Sequence, residues 1–178
     1  EDLDLSYRAQ LEGWEFLYLP DVVVLAELTP QITAFKRQQF RWSQGTTQTL
    51  RKLASRLLHD SEVGLGKKIM GLLHLGSYLT HGLIVLHLLT TLPMLLLPDS
   101  SLLPVEDIFG LLGLGPPLVF IVAQWQLHPD WWKRLRALPM TMLLVVGIAW
   151  CSARATWRGL TQWGGRFVRT PKFRLEGK

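Results

Sequence analysis

From Ile69 to Trp132 the chain carries no lysine or arginine. So long a stretch without basic charge, dense in Leu, Val and Ile, is suited to hydrocarbon. Ile69–Leu97 is long enough to cross a bilayer core, which takes about 20 apolar residues at 1.5 Å each. A connection bearing Asp99, Glu106 and Asp107 follows. Ile108–Leu127 reads as a second span, with Gly113, Gly115, Pro116 and Pro117 expected to kink it. Lys67 and Lys68 stand before the pair, and Lys133, Arg134 and Arg136 after it. Because cytoplasmic flanks collect Lys and Arg, this puts both outer flanks in the cytoplasm and the acidic connection outside.

A third apolar stretch, Ala137–Cys151, falls between a span and an interfacial helix in length. Beyond it Arg154, Arg158, Arg166, Arg169, Lys172 and Arg174 occur with no acid before Glu176. Crossing the bilayer here would carry that basic tail outside, against the charge rule. Residues 137–160 are therefore expected to form an interfacial or shallowly buried helix. The same distribution explains the pI of about 9.7 without nucleic acid, since the cations flank apolar segments and form no aromatic-laced patch. Cys151, the single cysteine, excludes an internal disulfide framework and a cysteine zinc site.

The first part of the chain reads as soluble protein. Leu3, Tyr7 and Leu11 recur every four residues, predicting a helix over 2–12 that Gly13 stops. Trp14–Leu19 and Val22–Leu25 are short β-rich runs divided by Pro20 and Asp21. A helix followed by strands fits the end of an α/β domain. Thr29-Pro30 is a helix start, and helices are expected over about 31–43 and, after Gly45, to about 58. The second carries Leu50, Leu53 and Leu57 on one face with Arg51, Lys52 and Arg56 elsewhere, a pattern for the membrane interface or for packing on a soluble domain. With no N-terminal signal pattern, the chain reads as a piece of a longer protein.

Gln38, Arg41 and Trp42 are spaced i, i+3, i+4 and share a helix face. A guanidinium fork grips the oxygens of a diphosphate by paired hydrogen bonds, and a primary amide adds a donor. A tryptophan offers a flat platform for the C–H face of a sugar ring. The same three residues also suit a helix holding Arg and Trp at headgroup depth. Near the end, Phe167-Val168-Arg169-Thr170-Pro171-Lys172 presents a hydroxyl and an ammonium suited to a diphosphate, or equally a basic tail drawn to anionic lipid. Gly164 and Gly165 leave this segment free to turn. His74, His81 and His87 in the first span fit interhelical hydrogen bonds or a water-lined path better than a metal site.

In this order the pieces resemble the membrane-embedded family 2 glycosyltransferases, the group containing cellulose, mannan and hyaluronan synthases. Gln38, Arg41 and Trp42 match the Gln-x-x-Arg-Trp signature of its processive members residue for residue. Glu1-Asp2 matches the last two residues of the family's Thr-Glu-Asp motif, whose Asp is the general base. Asp4 to Arg8, Gly13-Trp14 and Tyr18-Leu19-Pro20 are also similar to the family. Residues 167–172 resemble the Phe-x-Val-Thr-x-Lys gating loop in part, with Arg169 in place of Val.

The resemblance implies an inverting, processive β-glycosyltransferase, with Asp2 as base beside Glu1 and with Gln38, Arg41, Trp42, Thr170 and Lys172 binding substrate. One base suffices for such a transfer, because a metal-bound nucleoside diphosphate is a good leaving group. A divalent Mg2+ or Mn2+ is expected in the full-length enzyme, with no ligand in this chain. Implied partners are a nucleotide-diphosphate sugar, a glycan acceptor, membrane lipids and the N-terminal half of the same enzyme, without which this chain is expected to be inactive. The expected fold is an α/β catalytic-domain remnant (1–30) followed by an α-helical membrane region. That region comprises amphipathic interfacial helices with Gln-x-x-Arg-Trp (31–68), two transmembrane helices (69–132), an interfacial or short membrane helix (133–163) and a cytoplasmic gating-loop-like tail (164–178). Two or three transmembrane helices in all, in a bacterial plasma membrane with a cytoplasmic active site, complete the expectation. A lipid-acceptor enzyme of the glucosylceramide synthase type and a non-catalytic scaffold or channel subunit are the other readings.

Overall fold

The computed structural model of the chain describes residues 2–19, 22–24, 26, 29, 31–94, 96 and 114–165. The described elements are α1 (Asp2–Leu11), α2 (Ile32–His59), α3 (Leu65–Leu75), α4 (Leu79–Met94), α5 (Gly115–Leu127), α6 (Trp131–Arg134), a 3₁₀ turn (Leu135–Ala137) and α7 (Leu138–Thr161). They fall into two units, one formed by the chain up to Val85 and from Ile148 onward, the other by Leu86–Gly147.

In the first unit α1 forms where the Leu3, Tyr7, Leu11 spacing predicts it. Its end is a Schellman turn: the Gly13 N–H donates to Gln10 O and the Trp14 N–H to Ala9 O, both at 3.1 Å. Gly13 supplies the φ of +85° that this closure requires. The expected β-runs are not strands; Trp14–Leu19 and Val22–Val24 have no regular structure, and among the described residues there is no strand. A strand exists through its ladder to a partner, and among the described residues none pairs with these runs. The α/β remnant is thus not seen, and Trp14, Phe16, Leu17 and Tyr18 stand exposed. Glu1, Pro20, Asp21 and Pro30 lie outside the described residues.

The two helices expected on either side of Gly45 are one helix of 28 residues, about 42 Å long at 1.5 Å per residue. Gly45 weakens a helix by about 1 kcal/mol relative to Ala, too little to break one that is packed along its length. The α2 residues Ser43, Thr47, Leu53 and Leu57 are buried. Its buried hydroxyls bond back to the preceding turn, Ser43 Oγ to Gln39 O and Thr47 Oγ1 to Ser43 O, each at 2.7 Å, which meets them on the α2 side of the seam; on the α7 side the buried Ser152 Oγ finds no partner among the described residues.

The end of α7 lies along α2 in the same direction. Cys151 Sγ donates to Lys36 O at 3.7 Å, and further on Gly159 meets Thr47. A Cβ on Gly159 would stand 2.7 Å from Thr47 Cβ and 2.8 Å from Gln44 O. The buried face of α7 is Ile148, Ala149, Ser152, Ala155, Thr156 and Gly159, small side chains of the kind that let two helix backbones approach closely.

The first expected span is broken. α3 and α4 meet at Gly76–Tyr78 with a 57° bend, where the i→i−4 ladder gives way to tight turns such as Leu79 N–H to Gly76 O at 2.9 Å. Thr156 Oγ1 of α7 donates to Tyr78 O at 3.3 Å, meeting a carbonyl at the break. α1 is fastened to both α2 and α3. The Lys52 ammonium stands 3.0 Å from each Asp4 carboxylate oxygen, Arg56 pairs with Glu12, and Tyr7 Oη stands 3.0 Å from His74 Nδ1. Gly71 makes room for this junction, since a Cβ there would lie 2.8 Å from Leu57 Cδ2. His74 is thus an interhelical hydrogen-bond partner.

In the second unit, α5 has 13 residues, fewer than a span requires; the acidic connection and the first part of the expected second span lie outside the described residues. Residues 137–160, expected to form an interfacial or shallowly buried helix, are helical as α7 and belong to a continuous helical run, Trp131–Thr161, of 31 residues with mean hydropathy 1.6. Among the described residues it is the one helix long and apolar enough to cross a membrane, and the bent α3–α4 pair makes two if counted as a span. The described residues thus give one or two candidate spans and do not confirm the expected two or three. Only 17% of its most apolar window is buried, which leaves a broad apolar surface of the kind that lipid covers.

Two outcomes follow for the full-length protein in detergent. Gly45 has open space around it, so Gly45→Ala raises stability by about 0.5–1 kcal/mol. Gly159→Ala drives a Cβ into backbone and lowers it by about 1–3 kcal/mol; thermal unfolding midpoints moving in the same direction for both would contradict this packing. Burial disfavours the charged form of Asp4, but Lys52 and then Arg8 outweigh it and hold its carboxyl below the ordinary value of 3.8. Its pairing therefore stabilises above about pH 4 and is lost as pH falls through the lower, folded pKa. The stability gap between wild type and Asp4→Asn, up to about 1 kcal/mol given the half-exposed Lys52, is expected at pH 7 and should close near pH 3.

Candidate functional site

The site is built on α2. Gln38, Arg41 and Trp42 lie in its first half, on a helix that runs unbroken through Gly45. Gln38 and Arg41 are half-buried, and Trp42 is 46% exposed. Arg41 brings a planar fork of N–H donors and Gln38 an amide one turn earlier, a pairing matched to the oxygens of a phosphoryl group. The exposed indole of Trp42 offers the neighbouring apolar surface.

Asp2 opens α1 in the same unit and is exposed. Asp4, two residues on, is bound to Lys52. Lys52 lies three turns beyond Arg41, roughly 16 Å of helix axis. Because Asp4 meets Lys52 and Glu12 meets Arg56, α1 follows α2 in the same sense, with the Asp2 end toward Arg41. Glu1, Thr170 and Lys172 lie outside the described residues, so three of the expected site residues have no described position. Among the described residues no group of three His, Cys, Asp or Glu is placed to hold a metal ion.

The structure adds residues that the sequence reading passed over. One face of α7 forms an open cleft of about 420 Å³ lined by Trp150, Ala153, Arg154, Trp157, Arg158, Thr161 and Gln162. The Arg158 guanidinium carbon stands 5.6 Å from the ring centre of Phe40, the residue just before Arg41, so the cleft borders the Gln38–Trp42 string through a cation–π contact. The i, i+4, i+7, i+8 spacing of Trp150, Arg154, Trp157 and Arg158 was a legible sign of this face. On α2, Arg51 and Asp4's partner Lys52 were read only as part of a basic amphipathic helix, and the polar residues Gln44 and Gln48 were not singled out.

The family model described as glycosyl transferase family group 2 matches residues 1–157. Glucomannan 4-beta-mannosyltransferase 7 of Arabidopsis thaliana is 39% identical over 105 residues, covering 58% of this chain and 18% of that protein. Probable glucomannan 4-beta-mannosyltransferase 15 of the same plant is 30% identical over 141 residues, 73% of this chain and 26% of the relative. Probable glucomannan 4-beta-mannosyltransferase 7 of Oryza sativa subsp. japonica is 29% identical over 166 residues, 93% of this chain and 27% of the relative. The chain thus spans well under a third of the length of these curated relatives. No solved structure matches it. The relatives are plant proteins, which overturns the bacterial plasma membrane expected from the sequence; lysine and arginine asymmetry reports an orientation and carries no information about which organism's membrane is crossed. A family match that takes in α1, α2 with its Gln38-x-x-Arg41-Trp42 string and most of α7 fixes the assignment: the chain belongs to glycosyl transferase family group 2.

Proposed function

We propose that this chain is the membrane-linked part of an inverting, processive β-glycosyltransferase that extends a polysaccharide from a nucleotide-diphosphate sugar. The relatives named as glucomannan 4-beta-mannosyltransferases point to mannose as the donor sugar and to a 4-β-linked product. The observation that carries this reading is the family match over residues 1–157, within which Gln38, Arg41 and Trp42 share one face of α2.

In the proposed step the Asp2 carboxylate takes the proton from the acceptor hydroxyl, with Glu1 beside it. The acceptor oxygen then forms its bond to the anomeric carbon while the bond from that carbon to the diphosphate breaks on the opposite face. Arg41 and Gln38 donate hydrogen bonds to the departing diphosphate, and Thr170 and Lys172 add a hydroxyl and an ammonium. Trp42 shelves the terminal sugar of the acceptor, which holds the growing end in register for the next addition. A divalent Mg2+ or Mn2+, bound elsewhere in the full-length enzyme, belongs to the proposal as a counter-charge for the diphosphate. Residues elsewhere in that enzyme complete the donor pocket. The apolar surface of Trp131–Thr161 fits a membrane-embedded enzyme.

Membranes containing the full-length protein are expected to convert a nucleotide-diphosphate mannose into a long 4-β-linked polymer. Asp2→Asn should lower that rate by about 10²–10⁴-fold, the loss of a general base, with expression and membrane insertion unchanged; full activity in this variant would instead favour a scaffold. Trp42→Ala should weaken acceptor binding roughly 3–10-fold, the loss of one stacking contact, and shorten the product.

A further inference from the structure

The cleft on α7 has no part in the transfer step proposed above, and its charge is of one sign. Trp150, Arg154, Trp157 and Arg158 line it at i, i+4, i+7 and i+8, so the four side chains share a face. All four are exposed. Among the described residues no carboxylate pairs with Arg154 or Arg158, and the sequence has no acid between Asp130 and Glu176. Like charges at i, i+4 repel and weaken a helix. An anion seated between the two guanidiniums removes that cost.

The helix that carries the cleft is held in place by α2. Arg51 Nη1 donates to Gly159 O at 3.1 Å and to Gln162 O at 3.3 Å, and Gln48 Nε2 donates to Gln162 O at 3.1 Å. The cleft residues Trp150, Arg154, Trp157 and Arg158 lie off the buried face of α7. Binding there orders little backbone that is not already fixed, which lowers its entropic cost.

The order of side chains along α7 says what kind of anion fits. Its exposed residues run from Leu143 and Val146 to Trp150, and then to Arg154, Trp157 and Arg158. That is the succession from hydrocarbon, through the headgroup level where indoles settle, to the charged surface of a bilayer. A guanidinium fork takes two oxygens of a phosphate. An indole sets an apolar ring beside a single N–H donor, suited to the boundary between acyl chain and headgroup. A freely soluble phosphate makes no use of the apolar approach.

We propose that the α7 cleft is a binding site for the phosphate headgroup of an anionic membrane phospholipid, with Arg154 and Arg158 on the phosphate and Trp150 and Trp157 flanking the lipid below it. Arg158 also stands 5.6 Å from the ring centre of Phe40, so an occupied cleft lies beside the segment of α2 that bears Arg41. The site needs neither sugar donor nor acceptor, and it stands independently of the transfer reading.

The test titrates the detergent-solubilised full-length protein with phosphatidylglycerol and, separately, with phosphatidylcholine, and counts bound lipid by native mass spectrometry. Wild type is expected to retain one phosphatidylglycerol more than the Arg154→Gln/Arg158→Gln double variant, with no such difference for phosphatidylcholine. Each single variant should weaken that lipid about fivefold and the pair about twentyfold, one cation near anionic lipid being lost at a time. Arg154→Lys, which keeps the charge, should lose less than Arg154→Gln. Arg154 makes no other contact among the described residues, so Arg154→Gln alone decides the matter if the double variant has a lowered thermal midpoint. Equal phosphatidylglycerol affinity in wild type and Arg154→Gln overturns the proposal. Displacement of the lipid by inorganic phosphate or a nucleoside diphosphate at comparable concentration also overturns it, by making the cleft a site for a soluble anion. Displacement by a 4-β-linked mannose oligosaccharide does the same, by making it a sugar site.

Discussion

The seat of Gly159 against Thr47 and Gln44 is the contact from which the rest of the first unit follows. A helix lying along another at that distance cannot carry a Cβ at the crossing. The residues around it are correspondingly small: Ala149, Ser152 and Ala155 on α7, Ser43 and Thr47 on α2. Where neighbouring surface is as apolar as the helices themselves, burial alone gives little drive to associate, and close packing has to supply it. Once the crossing is made, Arg158 comes over Phe40 and the end of α7 comes under the amides of Gln44 and Gln48. The proposed transfer residues and their surroundings are thus consequences of one backbone approach.

A second constraint is the treatment of the break between α3 and α4. A tight turn at Gly76–Tyr78 frees backbone groups that an uninterrupted span would have paired internally, and such groups are costly away from water. Thr156 supplies a hydroxyl to Tyr78 O, so the helix that packs on α2 also steadies the bend. On its other side α3 is joined to α1 through Tyr7 and His74, while α1 is held on α2 by Asp4 and Lys52. The helix that opens with Asp2 is therefore linked to both of its neighbours by polar contacts.

Which parts of this were legible in the sequence depended on whether the signal was local. Gly13 was read as a helix stop and is one, because a left-handed residue closing a Schellman turn involves only its own helix end. Gly45 carried the same letter and was also read as a break, yet α2 runs through it; the packing that holds the helix together comes from α7, α3 and α1, which no local pattern announces. Trp14–Leu19 had β-rich composition, but strand formation depends on a partner, and none of the described residues pairs with it. The apolar run from Ile69 identified hydrocarbon-compatible sequence without revealing the bend at Gly76, since glycine, serine and tyrosine there are each tolerated in a helix. The helix expected over 137–160 is present as Leu138–Thr161, with Arg154 and Arg158 lining the cleft; its continuation back to Trp131 was hidden by the basic residues Lys133, Arg134 and Arg136, which read as a flank. Gln38, Arg41 and Trp42 were readable because their spacing fixes a shared face whatever the surroundings. Gln44, Gln48 and Arg51 have equally regular spacing, but what they hold is more than a hundred residues away in the chain.

The central claim is that α2 presents a diphosphate-binding fork and a sugar shelf to the carboxylate that opens α1. An experimental structure of the full-length enzyme in a lipid nanodisc, with a nucleoside diphosphate and a glycan bound, tests it most directly. The account predicts Arg41 within hydrogen-bonding distance of the diphosphate, Trp42 against the terminal sugar and Asp2 facing its free hydroxyl. Arg41 and Trp42 turned to lipid, or Asp2 on a side of the protein away from both ligands, would contradict it.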